Sequence, residues 1–392
     1  MSFDKEYCLG TCFPQIWFKG AGCPFLFFLS KLAVKKIERK LGWFKIFIKK
    51  RNITSSVDNN IFDRIYIELK DAEKTRITGG EHMDYSTKIS ERMWNQPDKG
   101  ELEAERENTF IDDIVQKAHI EKELLSNLDG IETVFDGGAG CGRFSILLAK
   151  QGLKVTHFDI SVSMIEKAKE IAAKEGVLDR ITFVQGALED LSAYADNSFD
   201  LVMSFDSPIS YTYPNQEKTI SELVRIARKR IMISVSSRLG ALPYVANPIQ
   251  KNQFILDKNS KDGWVQWCLS SREQMIEEFS FSKESIMKTY ETGLFGDIEE
   301  SKKAYDRGEA PWSISYHFMP DELKGILEKN GVKNIELAGP GAFARTIPNE
   351  ILVKIMNDKE QRRDFLEFCH MYDSNPYVCG MGKDNLFAKG EI

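Results

Sequence analysis

The sequence predicts a doubly wound α/β fold built on a mostly parallel sheet covered by helices on both faces. Three observations carry this. Between residues 130 and 238 short apolar strands alternate with amphipathic helices, and a glycine-rich turn stands between the first strand and the first helix. The composition, 42% hydrophobic and 29% charged over 392 residues, is that of a globular chain and excludes disorder and collagen-like order.

The elements follow in order. Residues 85–128 read as helical with a break at 95–100, and Ile111, Ile114, Val115, Ala118 and Ile120 supply an apolar side. Residues 133–135 form a buried strand, 143–151 a helix, 154–158 a strand and 163–175 a helix closed by Gly176. Strands are expected at 181–185, 201–205 and 230–234, with a helix at 217–227. Residues 240–310 lose this rhythm and become aromatic and charged, the pattern of a lid or substrate-binding insertion or of a structural cap. A helix capped by Asp321 after Pro320 resumes the core and stops at Gly331. Then come a strand at 332–337, a helical stretch at 349–372 and a last strand near 385–388. This divides the chain into an arm and linker (1–60), a mixed then helical lead-in (61–128) and one domain (129–392) carrying the 240–310 insertion.

The net charge of −6 conceals two unlike pieces. Residues 1–52 carry 11 basic and 3 acidic side chains, or +8, whereas the remaining 42 basic and 56 acidic give −14. In the arm, Leu26, Leu29, Ala33, Ile37, Leu41, Phe44 and Ile48 recur at helical spacing, with Lys31, Lys35, Arg39, Lys45 and Lys49 opposite. Three readings stay open for residues 24–51: an apolar stripe packed on the body, an interfacial membrane contact, or a nucleic-acid contact, the last opposed by the acidic body. Asp4, Lys5 and Glu6 precede any apolar run, so no secretory signal is read, and no stretch there is long enough to span a bilayer. Seven cysteines without a CxxC pair and five histidines without an HExxH pair point to reduced thiols, a cytoplasmic and at most membrane-peripheral location, and no metal site.

The strongest chemical signal is Asp136-Gly137-Gly138-Ala139-Gly140-Cys141-Gly142. Glycines let the backbone turn tightly and approach a ligand, and the first N–H groups of the following helix face a polar group. The spacing G-x-G-x-G over Gly138, Gly140 and Gly142 differs from the dinucleotide G-x-G-x-x-G. Here the chain resembles the class I S-adenosylmethionine-dependent methyltransferases, whose first motif is an acid followed by G-x-G-x-G. The resemblance implies the Rossmann-like class I methyltransferase fold with S-adenosylmethionine as cofactor. It also implies that Asp136, Gly138, Ala139, Gly140 and Gly142 form the cofactor loop and that Asp159, at the end of HFDISVSMIEKAK, receives the ribose hydroxyls. Ile160 and Met164 then flank the adenine. Gly186-Ala187-Leu188-Glu189-Asp190 replaces the family's G-D-A, leaving Leu188 or Glu189 to make the adenine-side contact. FDLVMSFDSPISYTYP matches the family's fourth strand.

The implied reaction is in-line attack on a sulfonium methyl, in which positioning supplies much of the rate. Asp206 is the nearest carboxylate to serve as a general base, or it caps local backbone N–H groups. Ser207, Ser210, Tyr211 and Tyr213 are expected to shape the acceptor pocket. His317 is a second candidate base, carried over the site by the lid, or a structural histidine. Ser207-Pro208-Ile209-Ser210 departs from the [DNS]-P-P-[YFW] of enzymes that methylate exocyclic amines of nucleic acids. The expectation is therefore a small, partly apolar acceptor methylated at O, N or C and no nucleic acid, with a lipid-like acceptor favoured if the arm lies on a membrane. A non-catalytic cofactor-binding module recruited by the arm is the alternative.

Overall fold

The computed structural model describes residues 85–97, 99–105, 109–247, 249, 254–260, 263–382 and 385–392. The basic arm, its linker and the lead-in up to residue 84 lie outside the described residues.

Nine strands are present among the described residues: β1 (Thr133–Gly137), β2 (Lys154–Asp159), β3 (Ile181–Gln185), β4 (Phe199–Ser204), β5 (Ala227–Val235), β6 (Leu294–Phe295), β7 (Ser315–Tyr316), β8 (Lys333–Ala338) and β9 (Leu386–Glu391). Seven form one sheet in the order β3-β2-β1-β4-β5-β9-β8, with β6 and β7 paired separately. β1 to β5 run parallel. β9 lies antiparallel between β5 and β8, pairing Ala388 with Ile233 on one side and with Leu337 on the other. Sequence alone places a last strand here without its direction or its interior position.

The central strands are apolar along both faces because both are covered. Val134, Leu201, Met203 and Met232 point to one side, where they pack with Phe144 and Leu148 of α4 (Arg143–Lys150). Their neighbours Phe135, Val202, Ile231 and Ile233 point to the other, meeting Ile220 and Leu223 of α6 (Gln216–Ile226) and Leu327 of α12 (Pro320–Lys329). Register keeps the two sets apart: Val134 stands beside Leu201 and Phe135 beside Val202. Asp200 pins the lower edge of this sheet. Its carboxylate accepts from the backbone N–H groups of Glu132 and Thr133 and pairs with Arg228 at 2.7 Å and Lys229 at 2.9 Å. Burial pushes its pKa upward, but the hydrogen bonds from Lys229 and Arg228 outweigh it and hold the carboxyl well below its ordinary value.

Before the sheet stand α1 (Tyr85–Trp94), α2 (Lys99–Glu105) and α3 (Ile111–Leu125). α5 (Val162–Lys174) follows β2 and is capped by Ser161, which accepts from Met164 N. The insertion supplies α7 (Arg238–Val245), α8 (Gly263–Ser270), α9 (Arg272–Glu277), α10 (Lys283–Thr292) and α11 (Ile298–Asp306). Pro320 opens α12 and the Glu322 carboxylate accepts from Met319 N at 3.2 Å, so Asp321 lies inside the first turn instead of capping it. The expected single helix over 349–372 is two, α13 (Asn349–Asn357) and α14 (Lys359–Asp373). Asp358 takes an extended backbone and accepts from Glu360 N and Gln361 N, starting the second helix. A third apolar cluster joins this pair to α3 through Ile111, Ile114, Val115, Leu352, Met356 and Phe365. No helix among the described residues is long and apolar enough to cross a membrane.

Candidate functional site

A cavity of about 200 Å³ opens at the C-terminal ends of β1, β2 and β4, the end at which open parallel sheets bind ligands. Its floor is the glycine loop. Gly138 and Gly140 take left-handed backbone (φ 71° and 54°), and the N–H groups of Gly138 and Ala139 both donate to Phe158 O. Gly140 N donates to Asp159 Oδ2 at 2.8 Å, and Ser161 N to the other carboxylate oxygen at 2.8 Å. The loop and the end of β2 are thus one unit, and the Asp159 carboxylate keeps capacity for a further hydrogen bond.

Two carboxyls here are unusual acids. Burial pushes Asp159 up to about 6, against the backbone hydrogen bonds it accepts. Burial pushes Asp136 up to about 7, with the neighbouring charges of Asp159 and Asp206 adding to the rise and a hydrogen bond from Ser145 Oγ at 2.6 Å opposing it. Both line the cavity.

Gly138, Ala139, Gly140, Ile160, Met164, Leu188, Glu189, Asp206 and Tyr211 also line it. Gly142 does not. It begins α4, and a Cβ there would stand 3.1 Å from Ala168 Cβ, so its role is to let α4 and α5 approach. Three of the four residues expected to shape an acceptor pocket are likewise outside the wall. Ser207 is buried, Ser210 Oγ accepts from Ser236 N at 2.9 Å, and Tyr213 stacks on Tyr316 at 6.1 Å. His317 is buried beside Phe295, its Nε2 within 2.9 Å of Ser315 Oγ, and it does not line the cavity, so the lid does not bring it to the site.

The cover differs from expectation for a physical reason. The walls opposite the loop come from α1, α2 and α3, through Thr87, Ser90, Trp94, Glu103 and Lys117, and no described residue of 240–310 reaches them. The break at 95–100 is the fastening. Asn95 Oδ1 accepts from Val162 N at 2.9 Å, the exposed end of α5, while Ser161 Oγ donates to Trp94 O and Gly100 N to Ser163 Oγ. Thr87 Oγ1 donates to Glu189. The insertion stands behind this cover: Tyr305 of α11 packs edge-on against Tyr85 and lies under the Arg92 guanidinium, 3.3 Å from its carbon. Trp94 sits edge-on to both Tyr211 and Trp312. Lys117 makes no hydrogen bond or ion pair among the described residues. Only tertiary packing singles out Thr87, Trp94 and Lys117. The one local signal near them was the 95–100 break.

The family described as "Methyltransferase domain" matches residues 134–230, the span that holds the glycine loop, Asp159 and Asp206. Residues 134–230 thus carry a methyltransferase domain, similar to the class I S-adenosylmethionine-dependent family. S-adenosylmethionine is the cofactor of that family, and the arrangement above fits it: a backbone loop open for close approach, a carboxylate at the end of β2 with free lone pairs, and apolar walls at Ile160, Met164 and Leu188. Over 165 residues the chain is 29% identical to magnesium protoporphyrin IX methyltransferase of Arabidopsis thaliana, covering 38% of this chain and 51% of that protein. Over 70 residues it is 34% identical to tRNA 5-carboxymethoxyuridine methyltransferase of Escherichia coli (strain K12), covering 18% of this chain and 27% of that protein. The chain thus spans about a quarter to a half of the length of these relatives. A solved magnesium protoporphyrin IX methyltransferase from Synechocystis PCC 6803 aligns with 64% of this chain and 92% of its own at 17% identity, with a TM-score of 0.40.

Proposed function

We propose that the protein transfers a methyl group from S-adenosylmethionine to O, N or C of a small, partly apolar acceptor. The observation that supports this reading is the composition of one cavity wall: the glycine loop and Asp159 on one side, and Phe144, Phe205, Trp94, Tyr211 and the Asp206 carboxylate on the other. A binding module needs only the first set.

Bound there, the cofactor supplies an electrophilic methyl on a sulfonium. Asp159 is the group to receive the ribose hydroxyls, and Ile160, Met164 and Leu188 form the soft apolar walls that suit an adenine face. Asp136 gains favourable charge beside a cationic ligand, and the unpaired Lys117 ammonium suits the methionyl carboxylate. Asp206 and Ser207 both hold left-handed backbone at the end of β4 (φ 62° and 68°). Non-glycine residues held so cost about 1–3 kcal/mol each, a strain that accumulates at functional sites. That conformation keeps the exposed Asp206 carboxylate at the cavity, where it can accept a proton from an acceptor hydroxyl or amine.

The aromatic wall favours a planar or largely apolar acceptor, in keeping with the porphyrin named for the Arabidopsis relative. The tRNA named for the E. coli relative is disfavoured for this chain by the −14 charge of residues 53–392. A peripheral membrane contact through residues 24–51 would bring a lipid-like acceptor to the same cavity. The test is calorimetric binding of S-adenosylmethionine followed by a panel of porphyrin, phenolic, isoprenoid and tRNA acceptors scored for S-adenosylhomocysteine release. Release with an apolar small molecule is expected. Binding without release from any acceptor would leave a cofactor-binding module, and release with tRNA alone would overturn the acceptor class.

A further inference from the structure

Outside the cavity that the methyl-transfer reading uses, three potential metal ligands converge: His119 and Glu123, one turn apart on α3, and His370 on α14. Their donor atoms all lie within 4.8 Å of one another. His119 is 2% exposed, and both its ring nitrogens lack a hydrogen-bond partner, a state no other described histidine shares. A buried imidazole with neither ring nitrogen hydrogen-bonded is costly, and a ligand on one of them would offset that cost. Its ring lies 4.6 Å from that of His370, so the two imidazoles converge on common space instead of facing polar backbone.

We propose that His119, Glu123 and His370 form a divalent-cation site, with zinc the fitting ion. Two imidazoles and one carboxylate are an established zinc donor set, and tetrahedral ligands about 2.0–2.2 Å from the ion stand about 3.3 Å apart. His370 Nε2 is now 2.7 Å from Glu123 Oε1, so that pair opens slightly while His119 closes in. The second Glu123 oxygen is already held by Lys389 Nζ at 2.8 Å, and Lys389 also pairs with Glu336 at 3.1 Å. That leaves two carboxylates to one ammonium in direct contact, a net negative charge that favours a cation. Such orienting partners behind a ligand are what metal sites use to fix carboxylate geometry. The ion would tie α3, part of the cover over the cavity, to α14 and to β9, which the cluster touches through Lys389. Water would complete the coordination, and the part-exposed edge of His370 gives the entry path.

The full chain is stripped with a chelator, then titrated with Zn²⁺ alone by calorimetry and with Co²⁺ by visible absorption. One equivalent of zinc, cobalt bands of a four-coordinate nitrogen–oxygen site, and a raised melting temperature are expected. His370→Ala and, separately, Glu123→Gln should each weaken zinc by at least about 100-fold while circular dichroism stays native. A chain lacking Cys8, Cys12 and Cys23 should bind as the parent does. No zinc bound by the stripped, folded parent would overturn the proposal, as would equal binding by His370→Ala or binding lost only with the cysteines.

Discussion

Replacing Gly140 by alanine tests directly whether the cofactor lies against the loop. A Cβ built at Gly140 meets nothing within 4 Å, so the protein itself feels only the left-handed φ of 54°, about 1–2 kcal/mol for a non-glycine residue. For a domain of this size that is a melting shift of about 2–8 °C. The added methyl, however, projects from a residue that lines the cavity, and forcing a ligand against it costs about 1–3 kcal/mol, or about 5- to 150-fold in affinity. Gly138→Ala is the contrasting variant. Its Cβ would stand 2.4 Å and 2.5 Å from Pro208 Cβ and Cγ at a φ of 71°, so strain and overpacking together take about 2–5 kcal/mol from the fold whether or not ligand is present. Scanning calorimetry of the apo variants and titration with S-adenosylmethionine separate the two effects. If Gly140→Ala shows the modest melting shift yet binds within twofold of the parent, the cofactor does not rest on this loop and the assignment of the cavity fails.

Three further outcomes follow from the charges. Asp136 and Asp159 have folded values of about 7 and about 6, above their ordinary 3.8, so their contribution to apo stability is full below 3.8 and is lost as pH rises to 7. A cationic ligand favours their ionised forms, so cofactor affinity should climb between pH 5 and 8 and flatten in Asp136→Asn; an affinity independent of pH would refute the link. Lys117→Ala should weaken S-adenosylmethionine by about 1.5–3 kcal/mol, roughly 10- to 150-fold, with melting unchanged within error, and an effect on the acceptor KM alone would reassign Lys117 to the acceptor. Asp200→Ala, which strands two backbone N–H groups and two cations, should lose about 2–4 kcal/mol at pH 7 in denaturant titrations. Because Asp200 titrates well below its ordinary 3.8, the parent's advantage should be full above that value, shrink progressively below it and be lost only through the lower folded value, and an advantage unchanged between pH 5 and pH 2 would contradict it.

Residues 133–235 were legible because their signals are local: period-two apolar strands, a glycine turn with its acid, and helix stops such as Gly176. Asp136, Asp159 and the loop glycines could be named for the same reason. What escaped was tertiary. Thr87, Trp94 and Lys117 look like any helical face until α1 and α3 fold over the loop, and nothing in 240–310 announces that it braces the cover from behind. Ser210 and Tyr213 each sit one residue from a wall-lining position, Tyr211 and Thr212, in and just after a tight 3-10 turn over Pro208–Thr212, where each step along the chain changes the direction of the side chain. His317 reads as a base carried by the lid or as a structural histidine, and its contacts with Ser315 and Phe295, outside the cavity lining, match the structural alternative. Asp358 reads as a mid-helix polar residue until its carboxylate is seen starting α14.

The position of β9 has a consequence for how the molecule is made. Because residues 386–391 fill the slot between β5 and β8, the edge strand β8 has no partner in the sheet until they have been synthesised and released. During translation β1 to β5 can pair as they emerge, whereas 333–338 wait with their ladder groups open. The edge strand β8 therefore joins by the insertion of a single strand along two exposed edges at once, and a nascent chain stalled before residue 386 would present two unsatisfied sheet edges, a natural substrate for chaperones and a seed for aggregation.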